Sequence, residues 1–286
     1  MINKIIYENE KGSSIELNHV GPLFIFKPEG FGGIQSETIM GKGIYQDGVN
    51  IDKNILSERI LTLNCYMVVD TEKQRAILKN NLYKTFNSKL KGKITVYTDT
   101  LNRIAEDAVV IQSPIFDDDY EGPNELVPFQ IQLMMPSPFF TAAEKITEIA
   151  TWYGGFNFKT KLPLKFRQKG DTKKNIFNDG HVDTPVKIYF EGPAVNPSIK
   201  NLTTNEFIKI NKTIEVGETL IINTEYGNKT VEIESKGSTL NAFHYLDLDS
   251  DFFSLVPGDN LIEYTTDNEL DVQKVEIRYK ERYLGI

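Results

Sequence analysis

The sequence predicts a mainly β protein in two domains, with one amphipathic helix set into the first half. Three observations point there. Apolar and polar residues alternate in short runs along much of the chain, a period of two that strands use and helices cannot. Aromatic residues reach 11%, with 17 Phe and 13 Tyr against one Trp, a bias toward side chains that suit a half-buried pleated surface. The 286 residues exceed what one core comfortably serves, so two domains are expected, 1–145 and 146–286.

In the first half, Lys4 to Tyr7, Ser14 to Leu17 and Pro22 to Lys27 read as short strands. Residues 31–54 are rich in glycine and polar residues and carry an Asp47-Gly48 turn signal. That is too long for an ordinary connection, so an extended arm or a hairpin is expected. From Ile60 to Val69, Leu61, Leu63, Cys65, Met67 and Val69 fall on one face of a strand. Thr71 followed by Gln74 makes a capping-box start, and Ile77, Leu78, Leu82 and Phe86 recur at helical spacing, placing a helix over 72–87. The lysines from Lys84 to Lys93 read as its solvated end. Strands are expected again around Ile94 to Thr98, Ile104 to Gln112 and Val127 to Leu133, the last closed by Pro136 and Pro138 because proline removes a ladder donor.

Residues 141–174, with Gly154, Gly155 and Gly170, show weak periodicity and read as a linker plus an edge hairpin. Beyond them, Val186 to Phe190, Ser198 to Asn201, Phe207 to Ile210, Thr219 to Thr224, Thr230 to Ile233, Leu261 to Tyr264 and Val275 to Tyr279 are short runs divided by Gly, Asn or Asp turns. That spacing predicts a β-sandwich.

Composition narrows the function. A net charge of −8 without a basic patch argues against a nucleic-acid partner held by counterion release. No apolar run reaches about 18 residues, and none of signal-peptide length opens the chain, so no membrane partner and synthesis in the cytoplasm are expected. The one cysteine, Cys65, excludes an internal disulfide and sits mid-strand as a small hydrophobe.

Motifs that carry chemistry are not found, and neither enzymatic activity nor a cofactor is expected. Asp247, Asp249 and Asp251 imitate the start of a calcium loop, but Phe252 stands where its glycine belongs and Gly258 where its bidentate carboxylate belongs. Asp117, Asp118, Asp119 and Glu121 read as a charged loop tip. His19, His181 and His244 lack the spacing of a metal-binding helix, and Gly30, Gly32 and Gly33 continue into no phosphate-binding pattern. The sequons at Asn201, Asn211 and Asn228 read as turns.

The order of elements resembles the distal tail protein family of long-tailed phages and prophages. In the first half the resemblance lies in LNCYM at Leu63 to Met67, the helix TEKQRAILKNNLYKTFN, the strand ITVYTD and the run VPFQIQLMMPSPFF, where Ser137-Pro138 stands in place of the family's acidic residue and proline. In the second half EGPAVNPSIKN, VGETLIINT and FFSLVPGDNLIEY occur in the family's order, with Pro138, Gly192, Gly217, Pro257 and Gly258 as motif positions. The resemblance implies an N-terminal split β-barrel with one α-helix, a C-terminal galectin-like β-sandwich, and assembly as a homohexameric ring in the virion tail tip. Its implied partners are the tail tube protein, a tail-associated lysin or tail-tip hub protein, and receptor-binding parts outside.

A ring protein needs a large subunit interface, and extended arms supply one. Gly43, Ile44, Tyr45, Asp47, Gly48, Val49 and Ile51 are the candidate arm that reaches a neighbouring subunit; the alternative is a disordered surface loop. A second function is a carbohydrate-binding module recognising host wall polysaccharide, with Trp152, Tyr153 and Tyr189 stacking on sugar rings.

Overall fold

A computed structural model describes residues 2–117, 126–150, 152–153, 168–169, 172–267 and 274–286. Asp118, Asp119, Glu121, Gly154, Gly155 and Gly170 lie outside the described residues, as do the side chains of Trp152 and Tyr153. The chain divides into two units, Met1–Ala142 with Tyr283–Ile286, and Ala143–Arg282.

The first unit is built from β1 (Ile2–Asn9), β2 (Ser14–Asn18), β3 (Leu23–Glu29), β4 (Ser36–Gly41), β5 (Asn50–Leu56), β6 (Arg59–Val68), α1 (Glu72–Thr85), β7 (Lys91–Thr98), β8 (Asn102–Phe116), β9 (Leu126–Met135) and β10 (Phe140–Thr141). Seven of these strands close a barrel in the order β8-β7-β1-β2-β3-β6-β9, with β9 returning to β8. Between β2 and β3 the closure is a single parallel pairing, Asn18 with Phe24, and every other seam is antiparallel.

Alternation fills it. Ile5 and Tyr7 of β1, Leu61, Leu63, Cys65 and Met67 of β6, Ile94 and Val96 of β7, and Ile131 and Leu133 of β9 are fully buried, while their neighbours in sequence face outward. Register makes this unavoidable, because a one-residue slip would turn each of these side chains to water. β8 holds 15 residues in one strand by taking up register shifts at Val110/Gln112 and Gln112/Ile115.

The helix starts where the capping box places it. Thr71 Oγ1 accepts from the Gln74 amide at 3.3 Å, and Gln74 Oε1 accepts in return from the Asp70 amide at 3.1 Å. Leu82 and Phe86 bury fully and Phe86 stacks on Tyr7 with ring centroids 4.5 Å apart, whereas Ile77 is half exposed. The helix ends at Thr85, so Lys91 and Lys93 lie in β7 and not on a helical end. Among the described residues no helix is long and apolar enough to cross a membrane.

The second unit runs through β11 (Lys145–Ala150), β12 (Trp152–Tyr153), β13 (Gln168–Lys169), β14 (Lys173–Asn178), β15 (Thr184–Glu191), β16 (Ala194–Val195), β17 (Ser198–Asn201), β18 (Glu206–Lys209), β19 (Thr213–Ile214), β20 (Glu218–Asn223), β21 (Thr230–Ser235), β22 (Ser238–Asn241), β23 (Ser254–Leu255), β24 (Gly258–Thr265) and β25 (Lys274–Tyr279); β26 (Arg282–Tyr283) ends the strand series. One sheet is ordered β11-β25-β15-β20-β21-β22, with β23 on β15, and a second is β14-β24-β17-β18. Ile188, Phe190, Leu220, Ile222, Val275 and Ile277 from the first and Ile176, Ile199, Ile208, Ile262 and Tyr264 from the second share one core, where Phe190 and Tyr264 lie 5.5 Å apart.

One expectation is corrected here. Part of the segment read as a linker is a strand: β11 pairs along its whole length with β25, from Lys145 opposite Tyr279 to Ala150 opposite Lys274.

Candidate assembly surface

Among the described residues no group of three or more His, Cys, Asp or Glu is placed to hold a metal ion. Cys65 is fully buried and burial pushes its thiol up to about 12, which keeps it an uncharged hydrophobe. Asp247 is tied within its own loop, accepting from Asn211 Nδ2 at 3.1 Å and from the Asp249 amide at 3.1 Å, and these bonds hold its carboxyl below the usual range. His19 meets the Ile2 carbonyl at 2.9 Å, and His244 lies against the Tyr245 ring. The Tyr189 ring is overlain by the Arg278 guanidinium at 4.4 Å, which occupies a face that a sugar would need.

The surface is different. β4 and β5 pair with each other from Ser36 opposite Leu56 to Gly41 opposite Asn50, forming a sheet of two strands. Cross-strand partners share a face, so Glu37, Ile39, Lys53 and Ile55 lie on one side and Thr38, Met40, Ile51 and Asn54 on the other, the register shift at Ile39/Met40 absorbing the extra residue. Neither face is covered: no residue of β4 or β5 is buried, and Ile39, Met40, Ile51 and Ile55 are all exposed.

The tip is an ordered turn. The Gly43 amide donates to Gln46 Oε1 at 3.0 Å, the Gln46 amide donates to the Gly43 carbonyl, and Gln46 Nε2 donates to Asn50 Oδ1 at 3.0 Å. Tyr45 at φ 63° and Gly48 at φ 80° take the left-handed conformation the reversal needs. Ile44 is 91% exposed and Tyr45 fully exposed beside Val49, with Asp47 and Gly48 between them. The structure therefore brings the seven residues named from the sequence together at the end of one ribbon.

At its root the ribbon is anchored. The Ser57 amide donates to the Gln35 carbonyl at 3.1 Å, closing the two strands. Arg59, two residues further on, is 3% exposed and donates to main-chain carbonyls only: Nη1 to Gly30 at 2.6 Å and Gly32 at 2.8 Å, Nε to Pro138 at 2.9 Å, and Nη2 to Leu284 at 2.6 Å. Burial lowers its proton affinity from the ordinary guanidinium value. Pro138 thus serves as an acceptor at the base of the ribbon. The sequence analysis missed Arg59, since nothing local sets it apart from any other strand arginine.

In the second unit the motif positions are turn chemistry. A side chain on Gly192 would meet the Glu215 carbonyl at 2.1 Å, and the Gly192 amide donates to the Glu218 carbonyl at 3.0 Å. Gly217 and Gly258 have φ of 84° and 94°, and Pro257 precedes the latter. Fully buried Asn260 and Asn201 join two of the motifs, with Asn201 Nδ2 donating to Asn260 Oδ1 at 3.2 Å.

Comparison with known proteins agrees with this architecture. Residues 10–135 match the phage tail protein RIFT-related domain, and residues 179–283 match the siphovirus-type tail component, C-terminal domain. Among solved structures, the SPP1 Dit protein, described as a paradigm of hub adsorption apparatus in phages infecting Gram-positive hosts, has a TM-score of 0.68 at 13% identity over 97% of this chain and 98% of its own. Chains of the phage P2 baseplate in its activated conformation, with Ca and with Sr, give TM-scores of 0.54 and 0.55 at 13% and 14% identity over 98% of both chains. No curated relative matches in sequence. A barrel domain of one phage-tail type joined to a sandwich domain of another defines a structural component of a phage tail. The chain belongs to the siphophage distal tail proteins, and its place is the virion tail.

Proposed function

We propose that this protein is a connector: copies of it close into a homohexameric ring in the tail tip, with the tail tube on one side, a tail-tip hub or tail-associated lysin on the other, and receptor-binding parts attached outside. The β4–β5 ribbon is the arm that each copy lays on its neighbour. No turnover is involved, and neither nucleic acid nor membrane is a partner.

The observation that carries the reading is the uncovered ribbon. An isolated two-stranded hairpin is marginal in water. This one carries Ile39, Met40, Ile44, Tyr45, Val49, Ile51 and Ile55 exposed, and full burial of a large apolar side chain stabilises by about 1.5–3 kcal/mol. Docking even a few of them on a second copy would supply what the ribbon lacks. A contact in which one patch receives an arm from a different patch is head-to-tail, and such contacts generate closed rings when the rotation permits. The hub apparatus named for SPP1 Dit and the baseplate named for phage P2 favour the same reading.

The mass of the purified chain in solution, with electron micrographs of the same sample, tests this. Annular particles of six copies are expected. A protein that stays a 32.6 kDa monomer at micromolar concentration, both alone and with the tail tube protein present, would sink it.

A further inference from the structure

We infer that the segment Tyr283–Ile286 is a latch that sets the direction of the β4–β5 arm, with Arg59 as its bolt; the inference rests on the proposal that the arm is the ring-forming element. Three consecutive carbonyls at the outgoing end of the arm are all held. Those of Gly30 and Gly32 accept from Arg59 Nη1, and that of Phe31, between them, accepts from the Ile286 amide at 3.1 Å. The same guanidinium reaches the Leu284 carbonyl through Nη2. Because Arg59 stands three residues after Leu56, where the arm returns, one side chain ties the outgoing end, the returning end and the 283–286 segment together.

The surroundings leave little slack. Gly285 is so close to Gly32 that a side chain on it would meet the Gly32 carbonyl at 3.0 Å. Gly30, at φ 87°, lies so near β6 that a side chain there would meet the Ile60 carbonyl at 2.1 Å. Phe31 is buried and stacks on Phe140, whose ring also carries the Arg59 guanidinium at 4.9 Å. Tyr283, buried in the barrel core, sits 3.6 Å from the Arg103 guanidinium and anchors the start of the segment. Among the described residues Arg59 forms no ion pair, so its hydrogen-bonding capacity serves main-chain geometry. A lysine, with one nitrogen at the end of a flexible stem, cannot span the same three chain segments.

The test is deletion of Leu284 to Ile286, which leaves Tyr283 in the core. Chymotryptic cleavage after Phe31, mapped by mass, reports on the latch; thermal unfolding reports on the barrel; micrographs count rings. Cleavage at Phe31 at least tenfold faster and rings at least tenfold fewer, with the unfolding midpoint within a few degrees, is the expected result. Unchanged cleavage overturns the latch, and so does an unchanged ring count. Should the deletion lower the unfolding midpoint more than that, Arg59→Lys is compared with Leu284→Ala, which keeps the main-chain acceptor. Arg59→Lys must speed the cut and Leu284→Ala must not, and equal rates overturn the inference. If the unaltered chain forms no rings, the proposed arm function fails, and cleavage at Phe31 alone decides the latch.

Discussion

β5 and β6 are separated by two residues, yet they follow opposite rules. Leu61, Leu63, Cys65 and Met67 of β6 point into a filled barrel and are fully buried, whereas β5, which among the described residues pairs only with β4, buries none of its seven residues. The contrast separates two uses of the same backbone. In β6 apolar side chains fill the barrel core, and in β5 they face outward and stay exposed.

Breaking the barrel side of that contrast should have the largest effect. Leu63→Ala removes a fully buried side chain from β6 and is expected to cost about 2–5 kcal/mol in chemical denaturation. Next comes the amide pair of the sandwich. Asn260 accepts from the Val256 amide and donates to the Val256 and Gly258 carbonyls, so Asn260→Ala leaves buried groups unpaired and should cost about 1–3 kcal/mol by the same measurement. On the arm side, replacing Ile44, Tyr45 and Ile51 together by serine should shift monomer stability by no more than about 0.5 kcal/mol, since all three are exposed. A loss as large as that of Leu63→Ala would show that the ribbon belongs to the subunit's own core.

A pH-dependent effect sharpens the picture of the barrel. Among the described residues the buried Tyr7 hydroxyl has no hydrogen-bond partner, and burial pushes its pKa from 10.0 up to about 12. The folded value lies above the unfolded one, so this stabilisation is complete below about pH 10 and disappears as pH rises toward 12. Tyr7→Phe should therefore stay within about 1 kcal/mol of the parent at pH 7 and lose stability less steeply between pH 10 and 12, as read by unfolding at a series of pH values.

Much of the fold was legible because half-buried strands write their pairing into the sequence. β6 and β9 alternate over ten residues each, and the Thr71 cap with Gln74 marks the helix start to the residue. β11 was hidden because in KITEIA Ile149 is buried but Ile146 is exposed, so no period of two appears. β22 was hidden because all four of its residues are exposed at a sheet edge. The ribbon itself was announced by its glycines and by Asp47-Gly48, turn residues that act locally. Arg59 and the 283–286 segment were not, because a bond across 225 residues of sequence leaves no local trace.

The most direct test removes the ribbon's end. A chain lacking Gly43 to Asn54 should keep its cooperative unfolding transition and the secondary structure of the barrel and the sandwich, yet remain a monomer under conditions where the unshortened chain is expected to form six-membered rings. Rings of unchanged size and number from the shortened chain would contradict the account.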